Sequence, residues 1–324
     1  MKKLLTAALP ALALMTGVAV AQDYPTRPIT LIVPQTAGGT NDTVARIFAP
    51  AMGKILGKEV VIDNKPGGGN IIGTQLTAEA APDGYTIGMA SQSGLSLAPL
   101  TKPDLAYDPI DDFTAIYNFA NVSNALVVNA DLGVKSIQEL VALANEKPGE
   151  LNYSSGGIGT SSHFAGALFV ALTGIADKTV HVPYQGGSQA SVAAAAGEVQ
   201  FYVGPTGGNM TGVIEAKKVI PLAVSGDKRL ASMPDVPTFA EAGLPEYTAV
   251  GWYGIMAPAG TPKEIVDKLN AAAIEASKTP EVIAALKAQG IEPIENTPEE
   301  FAKIIKDDVE GSKKLVDDGV VVLH

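Results

Sequence analysis

The sequence predicts an α/β protein whose strands form parallel, doubly wound sheets. One unit sets the pattern: a β-branched run at residues 30–33 ends at Pro34, a glycine-rich turn follows, and apolar residues recur at helical spacing up to residue 56. The same order of strand, small-residue loop and helix occurs three more times, with the strands predicted at 151–154, 180–183 and 199–203. Strands that alternate with helices across short turns are typical of parallel sheets with helices on both faces.

The other segments extend this pattern. Further strands are predicted at 59–62, 85–89, 113–119, 125–129 and 220–224, and helices at 136–145 and after 262, 280 and 297. The last helix begins with Thr-Pro-Glu-Glu, a capping box with proline at the first helical position. Residues 233–243 are predicted as a short helix, and the apolar run 250–256 as a strand or a crossover.

Residues 1–21 have the features of a cleavable export signal. Lys2 and Lys3 precede an apolar run to Val20, and Ala19-Val20-Ala21 is a small-x-small cleavage site. A membrane anchor is the alternative reading, but the run is short for a spanning helix, which needs roughly 20 apolar residues. No polybasic stop follows it. We therefore expect cleavage after Ala21 and a mature protein free in a bacterial periplasm.

The composition limits the partners. Once Lys2 and Lys3 are removed, 21 basic residues face 34 acidic ones, a balance of −13, which argues against nucleic acid and anionic membrane surfaces. The chain has no cysteine, so neither a lipid on a cleavage-site Cys nor a disulfide can form. The 303 residues left after cleavage suit two α/β lobes. We expect a monomer without a cofactor, and the net charge does not exclude an anionic ligand.

The loop after the first strand is the main candidate binding site. Its glycine-rich turn leaves the first N–H groups of the next helix without partners, with the positive end of the helix dipole behind them. Such a turn binds an anion without Lys or Arg, and neither occurs from residue 35 to residue 45. Asp42 would repel an anion, so we expect it to hydrogen-bond the loop amides and fix the turn. The candidate residues are Gln35, Thr36, Ala37, Gly38, Gly39, Thr40, Asn41 and Asp42.

Small polar residues also follow the other predicted strands, at 90–94, 155–162, 184–188 and 204–208. Ligands of doubly wound sheets bind beyond the carboxyl ends of the strands, where these loops lie. His163 lies in the first turn of a helix after one such loop, and two readings stay open: a contact to the ligand or its loop, or a histidine satisfied by backbone. Trp252 and Tyr253 are interpreted as packing rather than as a stacking platform.

Catalytic and metal-binding motifs are absent or incomplete. There is no H-E-x-x-H and no G-x-x-x-x-G-K-[ST], and the three histidines are scattered, so we expect no metal site. Gly186-Gly187-Ser188-Gln189-Ala190 is close to a nucleophile elbow, but an elbow needs a later acid and histidine, and the only later histidine is His324. We therefore interpret Ser188 as a helix cap or ligand donor and expect no enzymatic activity. A secreted hydrolase acting through Ser188 is the alternative.

Eight segments carry a family resemblance. In order they read YPTRPI (24–29), VP…GG…D…AR (33–46), NKPGGG…IG (64–73), APDGYT (81–86), YSSGGIGT…H (153–163), VPYQG (182–186), PDVPT…EAG (234–243) and W…APAGTP (252–262). Together they resemble the Bug/TctC-type solute receptors of tripartite tricarboxylate transporters. The resemblance covers essentially the whole mature chain.

This resemblance implies a type II periplasmic binding fold, with two doubly wound α/β lobes joined by two crossovers and closing on one ligand. One lobe would comprise residues 22–122 and 248–324, and the other residues 123–247. Loop 36–42 and the loop containing Ser155, Gly156, Gly157, Gly159 and Thr160 would form the two jaws. The walls would carry Ser91, Gln92, Tyr184 and Thr206, and Gly204 and Pro205 are further candidate ligand-binding residues.

Two departures from the family pattern bear on the ligand. Gln35 stands where many members have an aromatic residue, which puts stacking on a flat ligand in doubt. Gly204 stands where members that bind amino acids have Asp, so an ammonium group would lack a counter-charge. The resemblance thus implies a di- or tricarboxylate, delivered to the permease subunits of a tripartite tricarboxylate transporter. A receptor that reports ligand to a membrane sensor is the other reading.

Overall fold

The computed structural model describes residues 24–323. The predicted signal peptide and His324 therefore lie outside the described residues. Residues with β-branched and aromatic side chains form ten strands in this part of the chain. They are β1 Ile29–Val33, β2 Val60–Asn64, β3 Thr86–Ser91, β4 Phe113–Asn129, β5 Leu151–Ser155, β6 Thr179–Pro183, β7 Phe201–Pro205, β8 Val219–Val224, β9 Val250–Pro258 and β10 Glu292–Pro293.

Helices follow most of the strands, as their apolar periodicity predicts. They are α1 Thr40–Leu56, α2 Ile71–Ala78, α3 Ala98–Thr101, α4 Ile137–Glu146, α5 Ser161–Leu172, α6 Gly187–Ala196, α7 Asn209–Glu215, α8 Lys263–Ser277, α9 Pro280–Ala288 and α10 Pro298–Asp317. The capping box at the start of α10 is confirmed, because the Thr297 side chain accepts from the Glu300 amide and the Glu300 side chain accepts from the Thr297 amide.

The strands form one curved sheet in the order β2-β1-β3-β9-β4-β7-β5-β6, with β10 and β8 also paired to β4. Pairs β1–β2, β1–β3, β5–β6 and β5–β7 are parallel, whereas β4, β8, β9 and β10 pair antiparallel. The α/β prediction is confirmed. The predicted parallel pairing is confirmed for β1–β3 and β5–β7, and the structure adds antiparallel strands that the sequence did not predict.

Strand β4 connects the two parts of this sheet. We call β1–β3, β9 and β10 the first half-sheet, and β5–β8 the second. The sequence predicted separate apolar runs at 113–119 and 125–129, but the structure has one strand of 17 residues. Its polar middle was misread as a break: Asn118 donates to Asn121 (3.0 Å), and Asn124 donates to the Ala249 carbonyl (3.0 Å). These bonds satisfy the side-chain N–H donors of Asn118 and Asn124, whereas their Oδ1 atoms are buried without a partner among the described residues.

Each half-sheet has its own hydrophobic core. Phe48 of α1 stacks on Phe119 of β4 in the first, with ring centroids 4.0 Å apart. Phe169 of α5 packs edge-on against Phe201 of β7 in the second, at 5.9 Å. Trp252 is buried in a smaller cluster and its ring meets Phe301 of α10, so its interpretation as packing is confirmed.

Residues 233–243 do not form the short helix that the sequence predicted. The segment pairs with β8 instead: the Val224 amide donates to the Pro237 carbonyl, and the Phe239 amide donates to the Val224 carbonyl, both at 2.9 Å. Two prolines, at 234 and 237, favour extended backbone in the residues before them. The edge of the second half-sheet therefore gains a parallel bridge between Val224 and Thr238.

Candidate ligand-binding cleft

A cavity of about 420 Å³ lies where the carboxyl ends of the parallel strands meet. Segments 34–40, 66–70, 156–162, 183–188 and 205–210 supply most of its lining, so both half-sheets contribute. This is the edge at which ligands of doubly wound sheets bind. The described residues that line the cavity include no Asp, Glu, Lys, Arg or His. Any ligand held there meets only dipoles and neutral side chains.

The loop after β1 is held in shape by its own side chains. Gln35 Oε1 accepts from the Asn41 amide (3.1 Å), and Asp42 Oδ2 accepts from the Gly38 amide (2.9 Å). Gly38 has φ +82°, a left-handed conformation that glycine adopts without strain. The expectation that Asp42 hydrogen-bonds a loop amide is thus confirmed.

The charge of Asp42 is compensated on the side away from the cavity. Its carboxylate accepts from Arg46 Nε at 2.8 Å and from Asn64 Nδ2 at 2.9 Å. Burial alone would raise its pKa, but the hydrogen bonds from Arg46, Gly38 and Asn64 together hold the pKa of Asp42 below its usual value. Asp42 is therefore charged, paired and absent from the cavity lining.

Thr40, the first residue of α1, lines the cavity with a backbone N–H that no acceptor reaches among the described residues. Its hydroxyl donates to the Gly207 carbonyl in the loop after β7 (3.1 Å). The N-terminus of α1, which is 17 residues long, thus faces the cavity with an unpaired donor and the positive end of its dipole.

The loop after β5 pairs most of its own amides. Gly156 N donates to Ser162 Oγ (2.9 Å), Gly157 N to Ser155 Oγ (3.1 Å) and Gly159 N to His163 Nδ1 (3.3 Å). The physical reason is that the loop folds back on its own hydroxyls and imidazole. Within residues 24–323 the Ser162 amide, at the second position of α5, has no acceptor and remains available.

His163 is 1% exposed and orients this loop from behind. Its Nδ1 accepts the Gly159 amide, and its ring stacks on His181 of β6 with centroids 4.1 Å apart. His181 Nε2 lies 2.6 Å from Ser155 Oγ. Burial lowers the pKa of His181 to about 4, so the His181 imidazole is uncharged at neutral pH. His163 thus contacts the loop through a backbone amide, as both interpretations allow, and it does not line the cavity.

The structure divides the candidate residues into two groups. Those that line the cavity are Gln35, Thr36, Gly38, Gly39, Thr40, Gly156, Gly157, Thr160, Tyr184 and Pro205. Those that do not are Ala37, Asn41, Asp42, Ser91, Gln92, Ser155, Gly159, His163, Gly204 and Thr206.

The expected wall residues Ser91 and Gln92 are covered for identifiable reasons. Asn70 lines the cavity in front of Ser91 and donates to its Oγ at 3.1 Å. Gln92 turns away and donates to Asp308 of α10 at 3.0 Å. These two side chains therefore support the lining from a layer below it.

Two tyrosines in the lining were not identified as site residues. Tyr202 of β7 and Tyr253 of β9 are 2% and 3% exposed, and both contribute to the cavity surface. Burial raises the pKa of each phenol, for Tyr202 to about 12. The hydroxyls of Thr40 and Ser161, at the starts of α1 and α5, lie beside that of Tyr253. Both phenols are therefore neutral hydrogen-bonding groups at any physiological pH.

Ser188 is not arranged as a nucleophile in the described residues. Its Oγ accepts from Asn209 Nδ2 at 2.7 Å, while His163 and His181 stack on each other elsewhere. No group of three or more His, Cys, Asp or Glu in residues 24–323 is placed to hold a metal ion. The same part of the chain contains no helix with the length and apolarity to cross a bilayer.

Comparison with known proteins decides the family. The family model described as tripartite tricarboxylate transporter family receptor, TctC, matches residues 44–320. The chain belongs to this family. A UPF0065 protein of Pseudomonas sp. is 38% identical over 310 residues, which cover 94% of this chain and 91% of that protein. Protein BugT of Bordetella pertussis is 34% identical over 294 residues, covering 90% and 88%.

Solved TctC-type structures share the fold. A structure described as a periplasmic transporter is 38% identical with a TM-score of 0.90, covering 93% of this chain and 100% of that one. An R. palustris protein with adipate is 32% identical, with a TM-score of 0.88 and coverage of 93% and 99%. MatC from Rhodopseudomonas palustris with bound malate is 30% identical, with a TM-score of 0.85 and coverage of 90% and 100%. This TctC-family chain therefore has the fold of periplasmic solute-binding proteins.

Proposed function

We propose that this TctC-family receptor captures a small di- or tricarboxylate in its cavity, in the periplasm, and delivers it to the permease subunits of a tripartite tricarboxylate transporter. The observation that carries the proposal is a cavity without a charged residue at which two helices present unpaired amides, from Thr40 of α1 and Ser162 of α5. Helix N-termini bind carboxylates by such amides and by their dipoles. The adipate and malate of its relatives support the same ligand class.

The ligand would bind between two lobes. One comprises residues 22–122 and 248–324, and the other comprises residues 123–247. Three hydrogen bonds across this division support a closed state for the described conformation: Thr40 to the Gly207 carbonyl, the Gly208 amide to Gln289, and the Ser161 amide to Ser93. A carboxylate shared by amides of both lobes would shift the open–closed equilibrium toward this state. Leu315 and Val316, near the end of α10, pack on the core of the second lobe. We therefore refine the proposed boundary and assign the end of α10 to the second lobe.

Two substitutions of one residue isolate the proposed amide donor. Thr40→Val removes the hydroxyl that bonds Gly207 and keeps the amide, whereas Thr40→Pro removes both. Proline suits the first position of a helix, and the preceding Gly39 (φ −71°, ψ 160°) has the extended backbone that proline requires of its neighbour. We expect calorimetry to show that Thr40→Pro binds its carboxylate about ten- to a hundredfold more weakly than Thr40→Val, the effect of one charge-assisted hydrogen bond.

Equal affinities of these two variants would contradict the amide-based site. The ligand itself is sought by a thermal-shift screen of di-, tri- and aromatic carboxylates on the wild-type protein, followed by uptake of the best binder in a strain that lacks this receptor. Uptake that is unchanged by the deletion would contradict delivery to a permease. The same compounds, incubated with the protein, should be recovered intact.

A further inference from the structure

The side chain of Tyr202 occupies the space of a missing side chain two residues further along β7. Residues 202 and 204 lie on the same face of the strand, since side chains alternate with period two. A Cβ built on Gly204 would lie 2.2 Å from Tyr202 Oη and 2.3 Å from Cζ, closer than atoms can approach. Gly204 is not among the positive-φ residues. Glycine at 204 is therefore required by the neighbouring phenol and not by the backbone.

This arrangement directs the phenol to the carboxyl end of the sheet. Tyr202 leans along β7 across Gly204 until its Oη lies 3.2 Å from the position of a Cβ on Gly187, the first residue of α6. The hydroxyl of Ser162, at the start of α5, lies beside it. Tyr202 thus contributes to the cavity lining at the junction of two helix N-termini, although its own strand position lies one layer below.

The hydroxyl protons of Thr160 and Ser162, close to Tyr202, already have acceptors in the loop after β5. The Thr160 hydroxyl donates to the Gly157 carbonyl (2.7 Å), so in its contact with Ser162 (3.2 Å) the Ser162 hydroxyl must be the donor. Ser162 Oγ also accepts from the Gly156 amide (2.9 Å). Ser162 has no second proton to give. The O–H of Tyr202 is then a donor that can turn from Ser162 to a ligand, and burial keeps that proton on the phenol.

We propose that Tyr202 is a specificity-determining residue, which donates its O–H to a carboxylate oxygen of the ligand from a position that exists only because residue 204 is glycine. The inference rests on the proposed carboxylate function and adds a side-chain donor to the helix amides. It also assigns a role to the Tyr-Val-Gly sequence at the end of β7: the tyrosine supplies the polar tip, and the glycine supplies the room.

The test measures affinities of succinate, malate and adipate by calorimetry for the wild type and for Tyr202→Phe. The variant keeps the ring and loses only the hydroxyl. We expect its affinity for the best of the three probes to fall about tenfold or more, as for one hydrogen bond to a charged group. The melting temperature without ligand should change little, since the hydroxyl faces the cavity. Gly204→Ala should weaken binding at least as much by displacing the ring.

Tyr247→Phe is the matched control. Tyr247 is also buried, but it does not line the cavity, and its hydroxyl donates to the Ala165 carbonyl at 3.3 Å. We expect this variant to bind all three probes as the wild type does. If Gly204→Ala does not fold, Tyr202→Phe decides alone.

The outcomes separate this inference from the function on which it rests. Wild-type binding of a probe with equal affinity in Tyr202→Phe overturns the role of Tyr202 and leaves the carboxylate function standing. A loss in Tyr202→Phe that is matched by Tyr247→Phe, or that comes with a destabilised unliganded protein, also overturns it. A wild type that binds none of these probes or any other carboxylate overturns the proposed function, and the inference with it.

Discussion

Gln289, at the end of α9, accepts a hydrogen bond from the backbone amide of Gly208 in the loop after β7, at 2.9 Å. The bond joins the two half-sheets beside the cavity, and Gly208 has φ +66°, where glycine is unstrained. If the proposed lobes close on a ligand, this direct protein contact would stabilise the closed state together with the ligand.

Gln289→Ala should weaken ligand binding, because the proposed closed state loses the hydrogen bond from the Gly208 amide. One neutral hydrogen bond contributes about 0.5–1.5 kcal/mol, so we expect a two- to tenfold loss in affinity, mostly as faster dissociation. Stopped-flow kinetics with the ligand found by thermal shift would measure it. Lys287→Ala, on the same helix, is the control. Unchanged dissociation in Gln289→Ala would contradict a role in closure.

Gly69→Ala should obstruct closure sterically. A Cβ on Gly69 would lie 2.7 Å from the Ile158 carbonyl of the facing loop, and its φ is +65°. Gly133 has a similar φ of +75° with nothing within 4 Å of a built Cβ, so Gly133→Ala carries the same backbone strain without the contact. We expect the left-handed backbone to cost about 1–2 kcal/mol of stability in both variants, but weaker binding only in Gly69→Ala. Equal affinities would show that the two loops need not approach this closely.

Asp42→Asn should destabilise the loop after β1 in a pH-dependent way. The pKa of Asp42 is lowered in the folded protein, so its contribution to stability is present above the unfolded pKa of about 3.9 and is lost as the pH falls through the folded value. We expect a loss of about 1–3 kcal/mol at neutral pH. Denaturation at several pH values should show the gap to the wild type closing below about pH 4. Asp63→Asn, an exposed partner of Lys65, should show no such gap.

Lowering the pH should destabilise the protein through His181. Its pKa is about 4 when folded and about 6.5 when unfolded, so between these values the unfolded chain takes up a proton that the folded chain does not. Stability therefore falls as the pH decreases through this window. In His181→Phe, which keeps an aromatic ring against Tyr153 and His163, the melting temperature should fall less steeply. Parallel pH profiles would show that His181 does not titrate there.

The units of strand, loop and helix were predictable because their signals are local. The β-branched run of β1, the glycines at 38 and 39 and the apolar face of α1 adjoin in sequence. The single strand β4 was not predictable, because the Asn118 backbone amide donates to Asn296 and the Asn124 side chain donates to the Ala249 carbonyl, partners that are far away in sequence. The helix expected at 233–243 failed for a related reason: pairing with Val224 outweighs local preference.

The position of the candidate site in the fold could be predicted from the sequence, but the atoms that line it could not. The carboxyl ends of the strands and the turn at Gly38 located the cavity. Which amides remain unpaired depends on rotamers of Ser155, Ser162 and His163, which sequence does not fix. Tyr202 was missed because its strand position suggests core, and only the glycine two residues later indicates that the phenol leaves it.

The unbroken course of β4 has a consequence for the proposed opening of two lobes. The strand passes from one half-sheet to the other with shifts of register against β9 near Ala115 and Asn118 and against β8 at Leu126. Because β4 contains no loop between Phe113 and Asn129, opening would have to bend or twist the strand itself, and the irregular points are where its pairing is interrupted.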